Sequence, residues 1–256
     1  MKLHFLGTCS GTEPMPERNH ASWVLETEGK LYFFDAGEGC SKTAHLLGLD
    51  LLETRKIIIS HPHMDHVGGL SNLLWTIQKL ISRYKRTLIG EQVDVYISSC
   101  KTWNGVMQIL RCTEFDFDKG YTLVDHGIDA GLLFDDGSVR VTAYPNAHIK
   151  PDDGIFRSYS FLIECEGKRI VYSGDVKCYS ELDGAVGAGC DILIGETGHH
   201  KIDDVYAYFS SKKIGMLYFF HHGREILNDP DAAEEKIDLL FDGRACLTHD
   251  GMTVEA

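Results

Sequence analysis

Three histidines and an aspartate stand within six residues, at His61-Pro62-His63-Met64-Asp65-His66. Imidazole and carboxylate side chains suit zinc, manganese or iron as ligands. His61 and His63 alternate, so an extended backbone points both to one side. Asp65 and His66 follow at once, enough for a second ion beside the first. Buried and unpaired, four such groups would be costly, and a metal ion offsets that cost. The bland alternative is a polar loop with scattered histidines, but four ligand-type side chains rarely crowd so closely without a role.

The elements around this stretch must aim it. An apolar β-branched run, Ile57-Ile58-Ile59, precedes it and reads as a strand that stops where the histidines begin. After Gly68-Gly69, Leu70, Leu73, Leu74, Ile77, Leu80 and Ile81 fall at helical spacing, which predicts a helix with one buried face. Other strand ends carry ligand-type residues. His148 follows the alternating Val139, Val141, Ala143 strand and Pro145. Asp175 follows Tyr172-Ser173-Gly174, and His221-His222 follow Leu217-Tyr218-Phe219-Phe220. His199-His200 follow Ile194-Gly195-Glu196-Thr197-Gly198. His4, His20, His45, His126 and His249 have no such setting and read as ordinary core or surface histidines.

The pattern repeats. Ser22-Trp23-Val24-Leu25-Glu26-Thr27-Glu28-Gly29-Lys30 is echoed by Ser160-Phe161-Leu162-Ile163-Glu164-Cys165-Glu166-Gly167-Lys168. Each reads as strand, Glu-Gly turn, strand, and each hairpin runs into an acidic loop, at Asp35-Ala36-Gly37 and Ser173-Gly174-Asp175. The strand ending at His221 is matched to the strand ending at His61. Two such halves predict an internal duplication. Hairpins mean antiparallel pairing, so two mixed sheets with helices outside fit better than one doubly wound parallel sheet. No linker or low-complexity segment interrupts residues 1–256, which predicts a single domain.

The His-x-His-x-Asp-His stretch resembles the signature of the metallo-β-lactamase superfamily, and the likeness extends along most of the chain. It implies an α/β (α+β) fold, the four-layer αββα sandwich with metals at one edge between the sheets. It also implies a ligand set: His61, His63 and His148 for one ion, Asp65, His66 and His221 for the other, and Asp175 between them. For the last ligand His222 is the alternative to His221. Asp35 reads as a hydrogen-bond partner of a ligand histidine or as a turn carboxylate. Two divalent ions, Zn2+ or Mn2+ with iron as a third option, about 3.5–4 Å apart lower the pKa of a bridging water to roughly 7. The expected catalyst is therefore a metal-bridging hydroxide, with Asp65 orienting it. A leaving-group proton would come from His199, His200 or His222, in that order.

Phe5-Leu6-Gly7-Thr8, Arg18-Asn19 and Phe34-Asp35-Ala36-Gly37-Glu38-Gly39 resemble the branch that holds ribonuclease Z and small phosphodiesterases. Two departures separate the chain from ribonuclease Z. Between His148 and Asp175 there is room for a loop and one hairpin, not for a tRNA-gripping arm. Gly195 also stands where that nuclease carries a histidine before its Glu-Ala-Thr motif. The implied function is a binuclear phosphodiesterase acting on a small, cyclic or linear, phosphodiester. A lactone, thioester or sulfate-ester hydrolase is the alternative, and a non-catalytic metal-binding protein the alternative of another class. Loop residues 8–21, 113–137 and 149–158 would shape the substrate pocket. The resemblance also implies a homodimer, for which the sequence offers no interface.

Composition sets bounds on these readings. The net charge of the 256 residues is −13, which argues against a large nucleic-acid partner and not against a small phosphate ester held by metal. No apolar stretch approaches a membrane span. The first residues lack the pattern of a signal peptide, and the eight scattered cysteines include no Cys-x-x-Cys pair, so a cytoplasmic protein with reduced thiols is expected.

Overall fold

A computed structural model describes residues 1–86, 92–114, 120–152 and 154–256. Residues 115–119 of the expected 113–137 loop and residue 153 of the 149–158 loop lie outside the described residues. The chain divides into two compact units. The first holds residues 1–7, 16–128 and 249–256, and the second holds 8–15 and 129–248.

The first unit begins with β1 (Lys2–Gly7), β2 (Ser22–Thr27) and β3 (Lys30–Phe34), all antiparallel neighbours. The β2–β3 turn is Glu28-Gly29, with φ of 50° and 72°. Two consecutive left-handed residues match the right-handed twist of the strands they join. After α1 (Cys40–Leu46) come β4 (Thr54–Ile59), the short α2 (Met64–Val67), α3 (Leu70–Tyr84) and β5 (Gln92–Ile97). Next are α4 (Cys100–Thr113), whose Ser99 side chain caps the Thr102 N–H, and β6 (Thr122–His126). From β3 to β6 every pairing is parallel. The face carrying Ile57, Ile59, Val93, Val95 and Ile97 is buried with Leu70, Leu73, Leu74 and Ile77 of α3 and Trp103, Met107 and Leu110 of α4. Each such side chain stabilises the unit by about 1.5–3 kcal/mol. The predicted helix runs from Leu70 to Tyr84 with its apolar stripe inward, and of that stripe Leu80 alone is only half-buried.

The second unit contains β7 (Gly131–Asp135), β8 (Val139–Pro145), β9 (Tyr159–Cys165) and β10 (Lys168–Tyr172), again antiparallel. Then come α5 (Asp183–Val186), β11 (Cys190–Glu196), α6 (Ile202–Ser210), β12 (Ile214–Phe220), α7 (Arg224–Asn228), α8 (Pro230–Phe241) and β13 (Ala245–Leu247). Strands β10 to β13 are parallel. Val205 and Phe209 of α6 and Ile237 and Phe241 of α8 share a core with Leu193, Leu217 and Phe219. A last strand, β14 (Thr253–Glu255), returns to pair with β1. The two sheets are ordered β14-β1-β2-β3-β4-β5-β6 and β13-β12-β11-β10-β9-β8-β7.

The duplication is real, but its register differs from the expectation. Strands β1 to β6 repeat as β8 to β13, with the same order and sense of pairing. The counterpart of β4 is therefore β11, not β12. Phe34 pairs with Ile58 and Tyr172 with Ile194, so counting forward sets Ser60 against Glu196 and His63 against His199. The strand that ends at His221 corresponds to β5. An apolar run with a terminal histidine marks both β4 and β12, and only the strand order tells them apart.

Candidate metal centre

In the first unit the histidine loop starts where β4 ends and enters α2 through His63, whose backbone is extended (φ −67°, ψ 151°). Its anchor is Asp35, fully buried just after β3. Asp35 adopts φ 60°, a conformation that Asp tolerates better than most residues. Its N–H donates to the Ile58 carbonyl at 2.8 Å and its carbonyl accepts the Ser22 hydroxyl at 2.8 Å. The carboxylate accepts the Ser60 N–H at 2.6 Å and the Ser60 hydroxyl at 2.8 Å, and lies 2.7 Å from His66 Nδ1. Of the two sequence alternatives for Asp35, the partner of a histidine is the one observed. With Nδ1 on Asp35, Nε2 of His66 is the nitrogen on the Asp65 side, 3.5 Å from its carboxylate. His61 Nε2 and His63 Nδ1 lie 3.0 Å apart. The loop of residues 36–37 runs against α2 so closely that a Cβ on Gly37 would sit 2.4 Å from the Asp65 carbonyl. That contact is the physical content of the Asp-Ala-Gly stretch.

In the second unit the centre is Asp175, 1% exposed at the end of β10. Its carboxylate is faced by His221 Nδ1 at 3.4 Å, His148 Nε2 at 3.6 Å and His199 Nδ1 at 3.7 Å. These separations are long for hydrogen bonds. Those of His221 and His148 match neighbouring ligands of one ion: bonds of about 2.0–2.2 Å in a tetrahedron set ligand atoms about 3.3–3.6 Å apart. The His66–Asp65 separation fits the same rule. The donor set of imidazoles and carboxylates therefore fits divalent metal ions.

Two supports of this half escape sequence reasoning. Asn146, 2% exposed, donates from Nδ2 to Ser160 and accepts the His148 N–H at 3.2 Å, which sets the loop that carries His148. Glu196, fully buried, accepts the His199 N–H at 2.9 Å and faces the His199 ring at 3.2 Å. Its backbone carbonyl accepts the Tyr179 hydroxyl at 2.6 Å. Burial alone would raise the Glu196 carboxyl, but the facing rings of His199 and His221 outweigh it and hold the group below the usual range. The Glu196 carboxylate in turn raises His199 above an ordinary histidine. The signal for Glu196 was its place at a strand end; the signal for Asn146 was a buried-type position two residues before a histidine.

The three candidate proton donors differ sharply. His199 has a side chain 45% exposed and a buried carboxylate behind it. His200 gives Nε2 to the Val176 carbonyl at 2.9 Å and lies edge-on to Tyr179. His222 is fully buried, with Nε2 on the Thr248 carbonyl at 2.9 Å. Of the adjacent pair, His221 is the one whose ring nitrogen faces Asp175.

A ribonuclease Z from Methanothermobacter thermautotrophicus is 29% identical over 153 residues, 58% of this chain and 45% of that protein. The chain thus spans less than half the length of that relative. The solved structure of human tRNase Z, short form, matches with a TM-score of 0.75 and 21% identity over 100% of this chain and 99% of the other. A diphosphatase from the PhnP family matches with a TM-score of 0.70 and 17% identity over 100% and 97%. These likenesses show the metallo-β-lactamase fold. The family described as anti-Pycsar protein Apyc1 matches residues 1–229, most of the chain, and the chain belongs to that family.

Proposed function

We propose that the protein is a metal-dependent hydrolase of one domain that cleaves a small phosphodiester, with a cyclic one as the first candidate. His61, His63 and His148 serve one ion, Asp65, His66 and His221 the other, and Asp175 both. The observation that carries the reading is the pair of imidazoles, His148 and His221, that face the buried Asp175 carboxylate at ligand-to-ligand spacing. Two divalent ions, when bound, supply Lewis acidity and hydroxide at neutral pH. Zn2+ and Mn2+ both suit these ligands.

The chain's own groups do the rest. Asp35 fixes the His66 tautomer by taking Nδ1, so that Nε2 is the lone-pair nitrogen. Asp65, half-buried at the start of α2, orients the nucleophile. His199 is the proton donor for the leaving oxygen: it is the exposed member of the candidate trio, and the Glu196 carboxylate behind it aims the ring and favours its protonated form. His200 and His222, both committed to backbone carbonyls, hold the surrounding loops.

A second reading, cleavage of RNA, is favoured by the ribonuclease names of the relatives. The charge of −13 and the short interval between His148 and Asp175 favour the small substrate. No helix among the described residues is long and apolar enough to cross a membrane.

The test is metal counting on protein purified without chelator, followed by assays on bis-p-nitrophenyl phosphate, cyclic mononucleotides, a precursor tRNA, a lactone and an aryl sulfate. Two ions per chain and turnover of the phosphodiesters, abolished in Asp65→Ala, is the expected result. His199→Gln should reduce turnover of alkyl-leaving substrates about 10²–10⁴-fold and spare p-nitrophenolate release, which needs no proton. Turnover of the tRNA alone would select the second reading; turnover of only the lactone or sulfate would refute both phosphodiester readings.

A further inference from the structure

The residue that follows β12 has an unusual backbone. His221 lies at φ 51°, a region that non-glycine residues rarely enter. Such a conformation persists where its surroundings over-determine it.

Here the surroundings come from the start of the chain. Residues 8–15 belong to the second unit, although the residues on either side of them belong to the first. The N–H of His222 donates to the Thr8 carbonyl at 2.7 Å. The His222 carbonyl accepts the Ser10 N–H at 3.2 Å and the Ser10 hydroxyl at 2.7 Å. Cys9 and His222 thereby make a parallel bridge. From the other side, the Thr197 N–H donates to the carbonyls of Phe220 and His221 at 3.1 and 3.3 Å. The ring has a fitted slot as well. A Cβ on Gly198 would lie 2.5 Å from His221 Nδ1 and 3.0 Å from Ser10 Cβ. The outer end of the same segment is tied to α7 by the ion pair of Glu13 with Arg224.

We infer that residues 8–13 form a clamp that positions His221 for its ion, with Ser10 as the residue that closes it. The inference rests on the reading of His221 as a ligand. Removing the Ser10 hydroxyl takes away the shorter of the two bonds on the His222 carbonyl. The peptide after His222 then loses that restraint, His221 next to it relaxes toward ordinary φ, and the ring moves out of the tolerance of about 0.5 Å that a preorganised site needs. Ser10 is a positioning residue: it acts through His221 and touches no ion. Only the ion that uses His221 should feel its loss.

The experiment is calorimetric titration of the chelator-stripped full-length protein with Zn2+, on wild type, Ser10→Ala, Ser10→Thr and Gly198→Ala, with thermal unfolding of each metal-free variant alongside. Wild type should take up two ions. Ser10→Ala should keep one at wild-type affinity and bind the other about 10–100-fold more weakly. Ser10→Thr, which keeps the hydroxyl, should recover both, and Gly198→Ala, which intrudes on the ring slot, should weaken the same ion as Ser10→Ala. A metal-free Ser10→Ala that unfolds at close to the wild-type temperature shows that the loss is local. Unchanged affinities in Ser10→Ala, or equal weakening of both ions, would overturn the clamp while leaving the metal reading intact. A wild type that takes up no ion would overturn the metal reading and the clamp with it. If Ser10→Ala does not fold, the near-isosteric Ser10→Cys, which keeps the volume and weakens the donor, decides between the same outcomes.

Discussion

The carboxylate of Asp35 touches three donors at once, two on Ser60 and one on His66, and that multiplicity makes it sensitive to the smallest change. In Asp35→Asn one of the two side-chain atoms becomes an NH2 group, so it can no longer accept from all three. Either the Ser60 contacts weaken or His66 changes tautomer and presents the wrong nitrogen. The expected outcome is a loss of about 10–100-fold in affinity for the ion that uses His66, with a drop in metal-free stability of about 1–3 kcal/mol. Metal titration and urea unfolding check the two parts separately. Asp35 was legible in the sequence because it follows a strand and opens an Asp-Ala-Gly loop. Glu196 was not legible as the residue behind His199, because that role depends on a chain reversal within four residues, in which His199 folds back on the side chain of Glu196. Asn146 was hidden for a similar reason: Ser160, to which it bonds, lies on the next strand of the sheet.

At the scale of elements, the hairpins and the helix from Leu70 were legible, and the correspondence between halves was not. The Glu28-Gly29 and Glu166-Gly167 turns are marked by a local two-residue signal, whereas the pairing of β11 with β10 and β12 is long-range and leaves no local trace. The observed register exposes a second echo: the Ser22 hydroxyl donates to the Asp35 carbonyl, as the Ser160 hydroxyl donates to the Ser173 carbonyl at 2.6 Å. Gly167 isolates the turn's contribution. Its φ is 77° and no atom lies within 4 Å of an added Cβ, so Gly167→Ala is a test of conformation without crowding. It should cost about 1 kcal/mol and lower the melting temperature by about 2–4 °C. The parallel edge β4–β5–β6 carries its own polar knot, in which Asp94 accepts from Lys56 at 3.0 Å, from His126 at 2.8 Å and from Gln92 at 2.8 Å. Burial raises the Asp94 carboxyl, but those hydrogen bonds prevail and leave it below the usual range. A carboxyl depressed by folding contributes stability above its unfolded value, near about 3.9, and loses that contribution as pH falls through the folded one. Asp94→Asn should therefore be less stable than wild type by about 1 kcal/mol at pH 7, and the gap should close below about pH 4. Urea unfolding at pH 7, 5 and 3 measures it; a gap that widens in acid would refute the assignment.

Across the whole molecule the negative charge is not confined to the surface. Asp35, Asp175 and Glu196 are carboxylates at most 1% exposed, in a chain of net charge −13. Asp175 and Glu196 both face Nδ1 of His221, and the Asp175 charge raises the cost of keeping Glu196 ionised. Imidazoles offset part of that repulsion, and divalent cations would offset more. Ions that bind the folded chain and not the unfolded one stabilise it by about 2.7 kcal/mol at a hundredfold excess over Kd. For a chain of this length each kcal/mol shifts the melting temperature by about 2–4 °C. Stripping metal with a chelator should thus lower the melting temperature by about 5–10 °C for each ion removed, and adding Zn2+ or Mn2+ should restore it in a concentration-dependent way. The sign is the informative part. In Asp175→Asn the repulsion with Glu196 is relieved together with the ligand, so the metal-free variant should melt at or above the metal-free wild type while losing most of the metal-dependent rise. A variant that melts well below the metal-free wild type would mean that Asp175 serves packing rather than ions. Scanning calorimetry of both proteins, with and without metal, decides between a carboxylate buried for a cation and one buried for the fold.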